Sequence, residues 1–310
     1  MKFRTEIDIA PLHTRIGYEN RTLTLGSCFA EQIGDRLARA KFRVTVNPTG
    51  ILFNPLSIVA ALRSYPTPVH REELHCDGGR WFHFGFHGDF AAPTADEALQ
   101  RMNAARRAGA EALDAADRVV LTLGTAWVYE RGGEVVANCH RQPATEFTRR
   151  RLAVEEVTGA LAAAIEGPLA GREIILTVSP VRHLGDGLAG NAASKLTERY
   201  AGVSYFPAYE ILTDDLRDYR FYADDLVHPS PQAVAYIWEK FSAAALTPEA
   251  QALLPEVEAI TAAAAHRPRD PHSAAHRDFC RRMLERIAAL PGVDFHAEAE
   301  YFRQCIEINS

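Results

Sequence analysis

The sequence predicts an α/β fold in which helices cover both faces of a mostly parallel sheet. Short apolar segments alternate with amphipathic helical patterns along most of the chain, as in repeated strand–helix units. Two of the apolar segments, residues 119–123 and 174–178, are continuous runs followed by Gly124 and Pro180. Continuous apolar runs of this length are typical of parallel strands that are buried on both faces.

The first strand is predicted at residues 21–25, which are alternating and apolar and end abruptly at Gly26-Ser27-Cys28. A helix follows, because Phe29, Ile33 and Leu37 recur at helical spacing. The sequence therefore predicts a strand–turn–helix unit with a serine and a cysteine at its turn.

The second strand is predicted at residues 43–46, and it leads into the turn signal Asn47-Pro48-Thr49-Gly50. Asn54 and Pro55 then supply the N-cap and the first turn of a helix that runs to Arg63.

Two hairpin insertions interrupt this alternation. One lies between residues 65 and 93 around Asp77-Gly78-Gly79, and the other lies around Gly132-Gly133. The remaining core elements are predicted as helices at 94–114, 150–165, 191–200 and 232–241, and as strands at 119–123, 174–178 and 203–206.

The segment beyond Thr247 is alanine-rich and helical, with an interruption at residues 266–271. It predicts a helical C-terminal appendage without chemistry of its own. The expected organisation is an α/β domain over residues 1–245 and a helical extension over residues 246–310.

The composition excludes several classes of function. The chain has 310 residues, a net charge of −6 and 47% hydrophobic residues, so it has no basic field to attract nucleic acid. No apolar run approaches the roughly 18 residues that span a bilayer, so no membrane partner is expected. The N-terminal segment lacks the apolar region of a signal peptide, and we expect a cytoplasmic protein.

The chain has five cysteines, an odd number with no CxxC spacing, at positions 28, 76, 139, 280 and 305. We expect free thiols that are mostly small buried residues. His83, His87, His140 and His183 lack the spacing of metal ligands, so neither a metal nor a cofactor is predicted.

Candidate site residues follow from the rule that ligands bind beyond the carboxyl ends of parallel strands. The residues that the predicted strands bring to this edge are Ser27, Gly50, Gly124, Thr125, Ser179, Arg182, His183 and the segment 224–229. Arg182 and His183 are the preferred substrate contacts.

Ser27, Asp225 and His228 form the catalytic hypothesis. A serine hydroxyl needs an imidazole to take its proton, and the imidazole needs a carboxylate to fix its tautomer. A D-x-x-H turn supplies both partners locally. The backbone N–H groups of Ser27 and Gly50 are candidate donors to a developing oxyanion.

Three signals have alternative interpretations. Asp224 competes with Asp225 as the orienting carboxylate, but its spacing to His228 suits a tight turn less well. Cys28 is a second possible nucleophile, and burial under the first helix is the favoured interpretation of that residue. Residues 185–190 match G-x-G-x-x-G, but they do not directly follow a strand, and we interpret them as a loop.

The stretch Gly26-Ser27-Cys28-Phe29-Ala30 is the signature from which the GSCFA family takes its name, and the chain resembles that family. Similar motifs occur at residues 47–55, 123–127, 136–140, 179–183 and 217–222. The resemblance covers roughly residues 22–241. It implies an SGNH, or GDSL-type, hydrolase with a flavodoxin-like three-layer fold.

The resemblance also implies site residues. Ser27 matches the serine of the first SGNH block, Asp225 and His228 match the D-x-x-H of the last, and Gly50 matches the second. The third block usually has G-x-N-D, whose asparagine binds the oxyanion, but here the strand ends Gly124-Thr125-Ala126-Trp127. Thr125, Asn138 or another backbone N–H are the candidate replacements.

The implied activity is hydrolysis of carboxylic esters, with an acetyl ester of a carbohydrate or small metabolite as the expected substrate. An O-acyltransferase with the same triad is the close alternative. A non-catalytic glycan-binding module that retains the SGNH fold is the alternative from a different class.

Overall fold

A five-stranded parallel sheet forms the centre of the computed structural model, which describes residues 5–181 and 204–307. The sheet strands are β1 (Arg21–Gly26), β2 (Arg43–Val46), β5 (Arg118–Leu123), β9 (Glu173–Val178) and β10 (Ser204–Phe206). Their spatial order is β2-β1-β5-β9-β10, which is 2-1-3-4-5 when these strands are counted along the chain. This is the flavodoxin-like order, and the α/β prediction is confirmed at that level.

Helices cover both faces of the sheet. They are α1 (Cys28–Arg39), α2 (Pro55–Ser64), α3 (Ala95–Ala115), α4 (Val154–Glu166) and α5 (Pro231–Ala245). The α1 and α5 helices share one apolar core with the sheet, and the α2 and α4 helices share another. The predicted spacing of α1 is confirmed, because Phe29, Ile33 and Leu37 are all buried.

The two insertions are antiparallel. The β3 (His75–Asp77) and β4 (Arg80–Phe82) strands form the first predicted hairpin. The second predicted hairpin, β6 (Trp127–Arg131) and β7 (Glu134–Val136), is extended by a third strand, β8 (Thr148–Arg151), which pairs with β6.

The β8 strand corrects the predicted start of the helix at residue 150, since α4 begins at Val154. These residues form a strand rather than the first turn of a helix because they pair with β6. The guanidinium of Arg150 lies 2.7 Å from the Glu130 carboxylate, and that of Arg149 lies 4.2 Å from the ring centre of Trp127. These cross-strand contacts stabilise an extended conformation that the local sequence does not specify.

The C-terminal residues form three helices, α6 (Pro248–Ala265), α7 (Ala274–Ala288) and α8 (His296–Glu307). Their apolar residues Val257, Met283 and Phe302 are buried in the same core as α1 and α5. Lys41, which follows α1, also pairs with Glu298 of α8. The division after residue 245 remains a prediction, and the helices beyond it pack directly on the sheet domain.

Within residues 5–181 and 204–307, every helix is too short or too polar to cross a membrane.

Gly26 is the position in this fold where a side chain is least tolerable. Its φ is +134°, and an added Cβ would overlap the backbone carbonyl of Thr122 on the neighbouring strand β5. Because the colliding group is the backbone of a paired strand, no flexible side chain can move to relieve the overlap. Glycine at this position therefore lets β1 and β5 approach closely at the end of the pair.

We expect Gly26→Ala to lower the free energy of unfolding by more than about 3 kcal/mol, because strain in φ and backbone overlap add. Gly171→Ala is the matched control: its φ is +77°, but its Cβ would meet no atom within 4 Å. The control should cost only about 1–2 kcal/mol. Equal losses for the two variants in urea denaturation would contradict the proposed backbone overlap.

Candidate active site

The turn between β1 and α1 is held by backbone and side-chain hydrogen bonds. The Gly26 N–H donates to Asn47 Oδ1 at 2.9 Å, and the Ser27 N–H donates to the Thr122 carbonyl at 3.1 Å. Ser27 is the N-cap of α1, and its Oγ accepts the N–H of Phe29 at 3.3 Å. Its hydroxyl oxygen therefore lies at the positive end of the helix dipole.

Burial of the two residues at this turn differs from the prediction. Ser27 is only 1% exposed, whereas Cys28 is half-buried. The expectation that Cys28 is buried under the first helix is therefore wrong. The alternation of an extended chain ends at Ser27, because Cys28 is already the first residue of α1, so the two side chains need not point to opposite sides.

Asp225 and His228 form the predicted carboxylate–imidazole pair. Asp225 Oδ2 lies 2.6 Å from His228 Nδ1, and Asp225 Oδ1 accepts the backbone N–H groups of Val227 and His228, each at 2.9 Å. The hydrogen bond from the imidazole, followed by those from the backbone, lowers the pKa of Asp225 to about 2. The carboxylate is thus ionised at neutral pH, and Nδ1 donates to it, which leaves Nε2 as the acceptor of the neutral ring.

The loop that carries this pair is a closed turn. The Ala223 N–H donates to the His228 carbonyl at 2.8 Å, and the Leu226 N–H donates to the Ala223 carbonyl at 2.9 Å. Leu226 adopts a left-handed conformation with φ of +56°. Asp224 takes no part in pairing with His228, so the choice of Asp225 from the spacing agrees with the geometry.

The His228 loop lies against α1. Pro229, the next residue, borders a surface concavity together with Gln32 and Asp35 of α1. The pair is therefore on the same side of the sheet as the helix that Ser27 caps. Ser27 and His228 both lie in the described part of the chain, and no hydrogen bond joins Ser27 Oγ to His228. The His228 side chain is 45% exposed.

Gly50 lies next to the Ser27 turn. Its φ is +82°, and an added Cβ would press on the Cβ of His87 from the first insertion. The Gly50 N–H donates to the Asn47 carbonyl at 2.8 Å, and the Leu52 N–H donates to the Gly26 carbonyl at 2.8 Å. Hence the N–H groups of Ser27 and Gly50, predicted as oxyanion donors, are both engaged with internal carbonyls.

Gly124 and Thr125, at the end of β5, bond to the loop that contains Gly50. Both backbone N–H groups donate to the Phe53 carbonyl, at 2.8 and 2.9 Å. Thr125 Oγ1 accepts the N–H of Trp127 at 3.1 Å. These contacts join the end of β5 to the segment before α2, so the two residues serve to position the loop that contains Gly50.

Asn138 follows β7 of the second insertion and lies close to the first insertion. Its Oδ1 accepts the N–H of His140 at 2.7 Å, and its Nδ2 lies beside Gly88. It borders a concavity of about 580 Å³ whose lining includes His87, Asp89 and Arg141. Asn138 and Gly50 therefore contact the same short segment, residues 87–88, from two sides.

The sequence did not single out Glu31, Asn47, His87 and Asp89 as site residues, yet they meet near Gly50. His87 Nδ1 lies 3.1 Å from Asp89 Oδ2. Burial, together with Asp35, raises the pKa of Glu31, and His87 and the Asn47 amide act in the opposite direction. Glu31 stands four residues after Ser27, on the same helix face. This spacing is the sequence feature that could have identified Glu31 as a site residue.

His83 and His140, whose spacing in the sequence is unlike that of metal ligands, lie in the first and second insertions and contact each other's segments. The ring of His140 stacks on Phe82 with centroids 4.4 Å apart, and its Nε2 lies 3.0 Å from the His83 carbonyl. Burial lowers the pKa of both His83 and His140. Arg182, His183 and the G-x-G-x-x-G segment lie outside the described residues.

Comparison with known families agrees with the resemblance of the sequence. Residues 21–241 match the GSCFA family, and residues 257–308 match the GSCFA domain protein, C-terminal domain. No curated protein and no solved structure is significantly similar to the chain. Since the first match spans most of the 310 residues, the chain belongs to the GSCFA family.

Proposed function

We propose that the protein is a serine hydrolase of the SGNH type that cleaves carboxylic esters through an acyl-enzyme on Ser27. The observation that carries the proposal is the Asp225–His228 pair, with 2.6 Å between Oδ2 and Nδ1. The flavodoxin-like strand order and the place of Ser27 directly after the first strand support the SGNH assignment. The pair supplies an oriented base, and Ser27 supplies the hydroxyl.

The proposed reaction has two halves. Ser27 Oγ attacks the ester carbonyl carbon while His228 Nε2 takes the hydroxyl proton, and the same proton then passes to the departing alcohol. Water next attacks the acyl-enzyme, His228 takes a proton from it, and the acid leaves as Ser27 regains its hydrogen. Asp225 holds the imidazole in the required tautomer and stabilises the imidazolium.

The hydrogen bond that Ser27 makes now is compatible with this role. Its Oγ accepts an N–H from Phe29, so its own hydrogen is left to donate to a base. Acylation further requires Ser27, which is 1% exposed, to become accessible to the ester. Asn47 and Leu52 are hydrogen-bonded to Gly26 beside Ser27, and we propose that the segment between them moves to admit the ester.

Asn138 is the proposed oxyanion donor. Its Oδ1 is occupied by the His140 N–H, which fixes the orientation of the amide and leaves the Nδ2 hydrogens on the side of Gly88. The backbone N–H groups of Ser27 and Gly50 already have partners, so a side-chain donor contributes a larger share of the stabilisation of the oxyanion.

The proposed substrate is an acetyl ester on a carbohydrate or a small polar metabolite. The concavity that Asn138 borders supports this choice, because its lining residues His87, Asp89 and Arg141 offer polar groups that suit sugar hydroxyls. An O-acyltransferase would use the same residues and differ only in the acceptor that replaces water.

A non-catalytic binding module is the second candidate. Two observations favour it: the burial of Ser27 and the internal partners of the Ser27 and Gly50 N–H groups. Such a protein would bind a glycan and turn nothing over.

The first test uses a fluorophosphonate probe and p-nitrophenyl acetate with the wild type and three variants. We expect Ser27→Ala and His228→Ala to lose labelling and to lower kcat by at least about 1,000-fold, because each removes one member of the proton-transfer system. Cys28→Ala is the matched control, since it alters the neighbouring side chain, and it should retain both activities.

Three outcomes count against the proposal. Loss of activity in Cys28→Ala with retention in Ser27→Ala would make the half-buried thiol the nucleophile. An inert wild type would favour the binding module, and a Ser27→Ala variant as active as the wild type would remove Ser27 from the mechanism. Circular dichroism of each variant separates these outcomes from loss of folding.

The second test concerns the carboxylate. We expect Asp225→Asn to lower kcat by about 100-fold or more, because the amide no longer fixes the imidazole tautomer. Asp224→Asn is the control, since Asp224 has no bond to His228, and it should behave like the wild type. Equal losses in the two variants would remove Asp225 from the mechanism.

The pH profile gives the third test. The pKa of Asp225 is about 2, so this group remains ionised in any assay above about pH 4. The acidic limb of kcat/KM should then contain no contribution from Asp225 and should fit a single protonation, because the proposed mechanism has one base. A limb with two protonations in this range would show that a second acidic group must also be ionised.

A further inference from the structure

Three side chains with metal-ligating atoms meet between the last two helices, far along the chain from the proposed triad. His276 and Cys280 lie on α7, and Cys305 lies on α8. The His276 imidazole and the two Sγ atoms are all within 4.8 Å of one another. Among the residues that the structure describes, they are the one such group of histidine, cysteine and carboxylate side chains.

The distances suit one tetrahedral ion. Zn–S bonds of about 2.3 Å and Zn–N bonds of about 2.05 Å place a sulfur and a nitrogen ligand about 3.6 Å apart, and two sulfur ligands about 3.8 Å apart. Cys280 Sγ and His276 Nε2 are 3.6 Å apart. The Cys305 Sγ lies within 4.8 Å of both of these atoms.

The helices themselves produce this arrangement. His276 and Cys280 are four residues apart, so they lie one turn apart on the same face of α7. Cys305 projects from α8, which packs closely against α7. Tyr301 stands one turn before Cys305 on α8, and its hydroxyl lies beside the Cys305 thiol.

The donor set selects a particular class of ion. Two thiols and one imidazole are the ligands that Zn²⁺ prefers, whereas Mg²⁺ and Ca²⁺ prefer oxygen. Cys280 is fully buried, and His276 and Cys305 are half-buried. The group is therefore partly accessible to solvent, which can supply the fourth ligand.

We propose that the C-terminal helices bind one Zn²⁺ through His276 Nε2, Cys280 Sγ and Cys305 Sγ, with water as the fourth ligand. Binding converts both thiols to thiolates and releases two protons, and the imidazole binds in its neutral form. The ion links α7 to α8 and so stabilises the part of the chain that packs against α1 and α5.

The alternative chemistry of this group is a disulfide between Cys280 and Cys305, which would require an oxidant. Neither cysteine is part of a disulfide in this structure. In the zinc proposal the sulfur atoms remain reduced, and the imidazole has a direct role. The two chemistries are therefore distinguished by the behaviour of His276 variants and by thiol counting.

The experiment uses the full chain, reduced, freed of metal and then loaded with ZnCl₂, with bound zinc measured by mass spectrometry after gel filtration. We expect one Zn²⁺ per chain. We also expect Co²⁺ to give the intense visible absorption of tetrahedral coordination together with a thiolate charge-transfer band.

The variants are Cys305→Ser, His276→Gln and Cys280→Ser, and Cys76→Ser is the matched control because Cys76 is an exposed cysteine outside the group. Each of the first three should weaken Zn²⁺ binding on the order of 100-fold or more, and the control should bind like the wild type. Cys305→Ser and His276→Gln alter half-buried residues, so they keep the test informative if Cys280→Ser does not fold.

Zinc should also raise the Tm of the wild type and of Cys76→Ser, but not that of Cys305→Ser. Substoichiometric zinc in the reduced wild type would overturn the proposal. Equal zinc binding by His276→Gln and the wild type would overturn it too, as would two thiols lost to a disulfide in the zinc-loaded protein.

Discussion

The close approach of β1 and β5 at Gly26 is the constraint on which the rest of the site depends. Without a Cβ, Gly26 lies directly against the Thr122 carbonyl, which then accepts the N–H of Ser27. Asn47 Oδ1 holds the Gly26 N–H at the same point. The end of β1, the start of α1 and the turn after β2 are thereby joined through one glycine.

Contacts spread outward from this junction to the insertions. The Asn47 carbonyl positions Gly50, and Gly50 in turn leaves space for His87. Gly124 and Thr125 hold the Phe53 carbonyl from the neighbouring strand. Polar residues of the insertions thus reach the carboxyl edge of the sheet, where the sheet topology places ligands. In the proposed function, the insertions would provide substrate contacts and the sheet would provide the nucleophile.

The Asp225–His228 pair is built differently, because its hydrogen bonds are nearly all within the segment 223–230. A local turn of this kind is independent of the strands. Its distance from Ser27 depends instead on how α5 packs on α1, and that packing extends to the C-terminal helices through a shared core. Anything that stabilises those helices therefore also stabilises the position of His228 relative to Ser27.

The sequence by itself determined the features that arise from short-range patterns. The buried strands, the cap at Asn54, the two hairpins and the Asp225–His228 pair all follow from spacing within a few residues. Tertiary structure decided the rest. The β8 strand, the burial of Ser27 rather than Cys28, and the internal partners of the Ser27 and Gly50 N–H groups depend on residues that are distant in sequence. The same holds for the group formed by His276, Cys280 and Cys305. Periodicity reports which face of an element is apolar, but only packing brings two elements together, because the contacts that hold them are non-local.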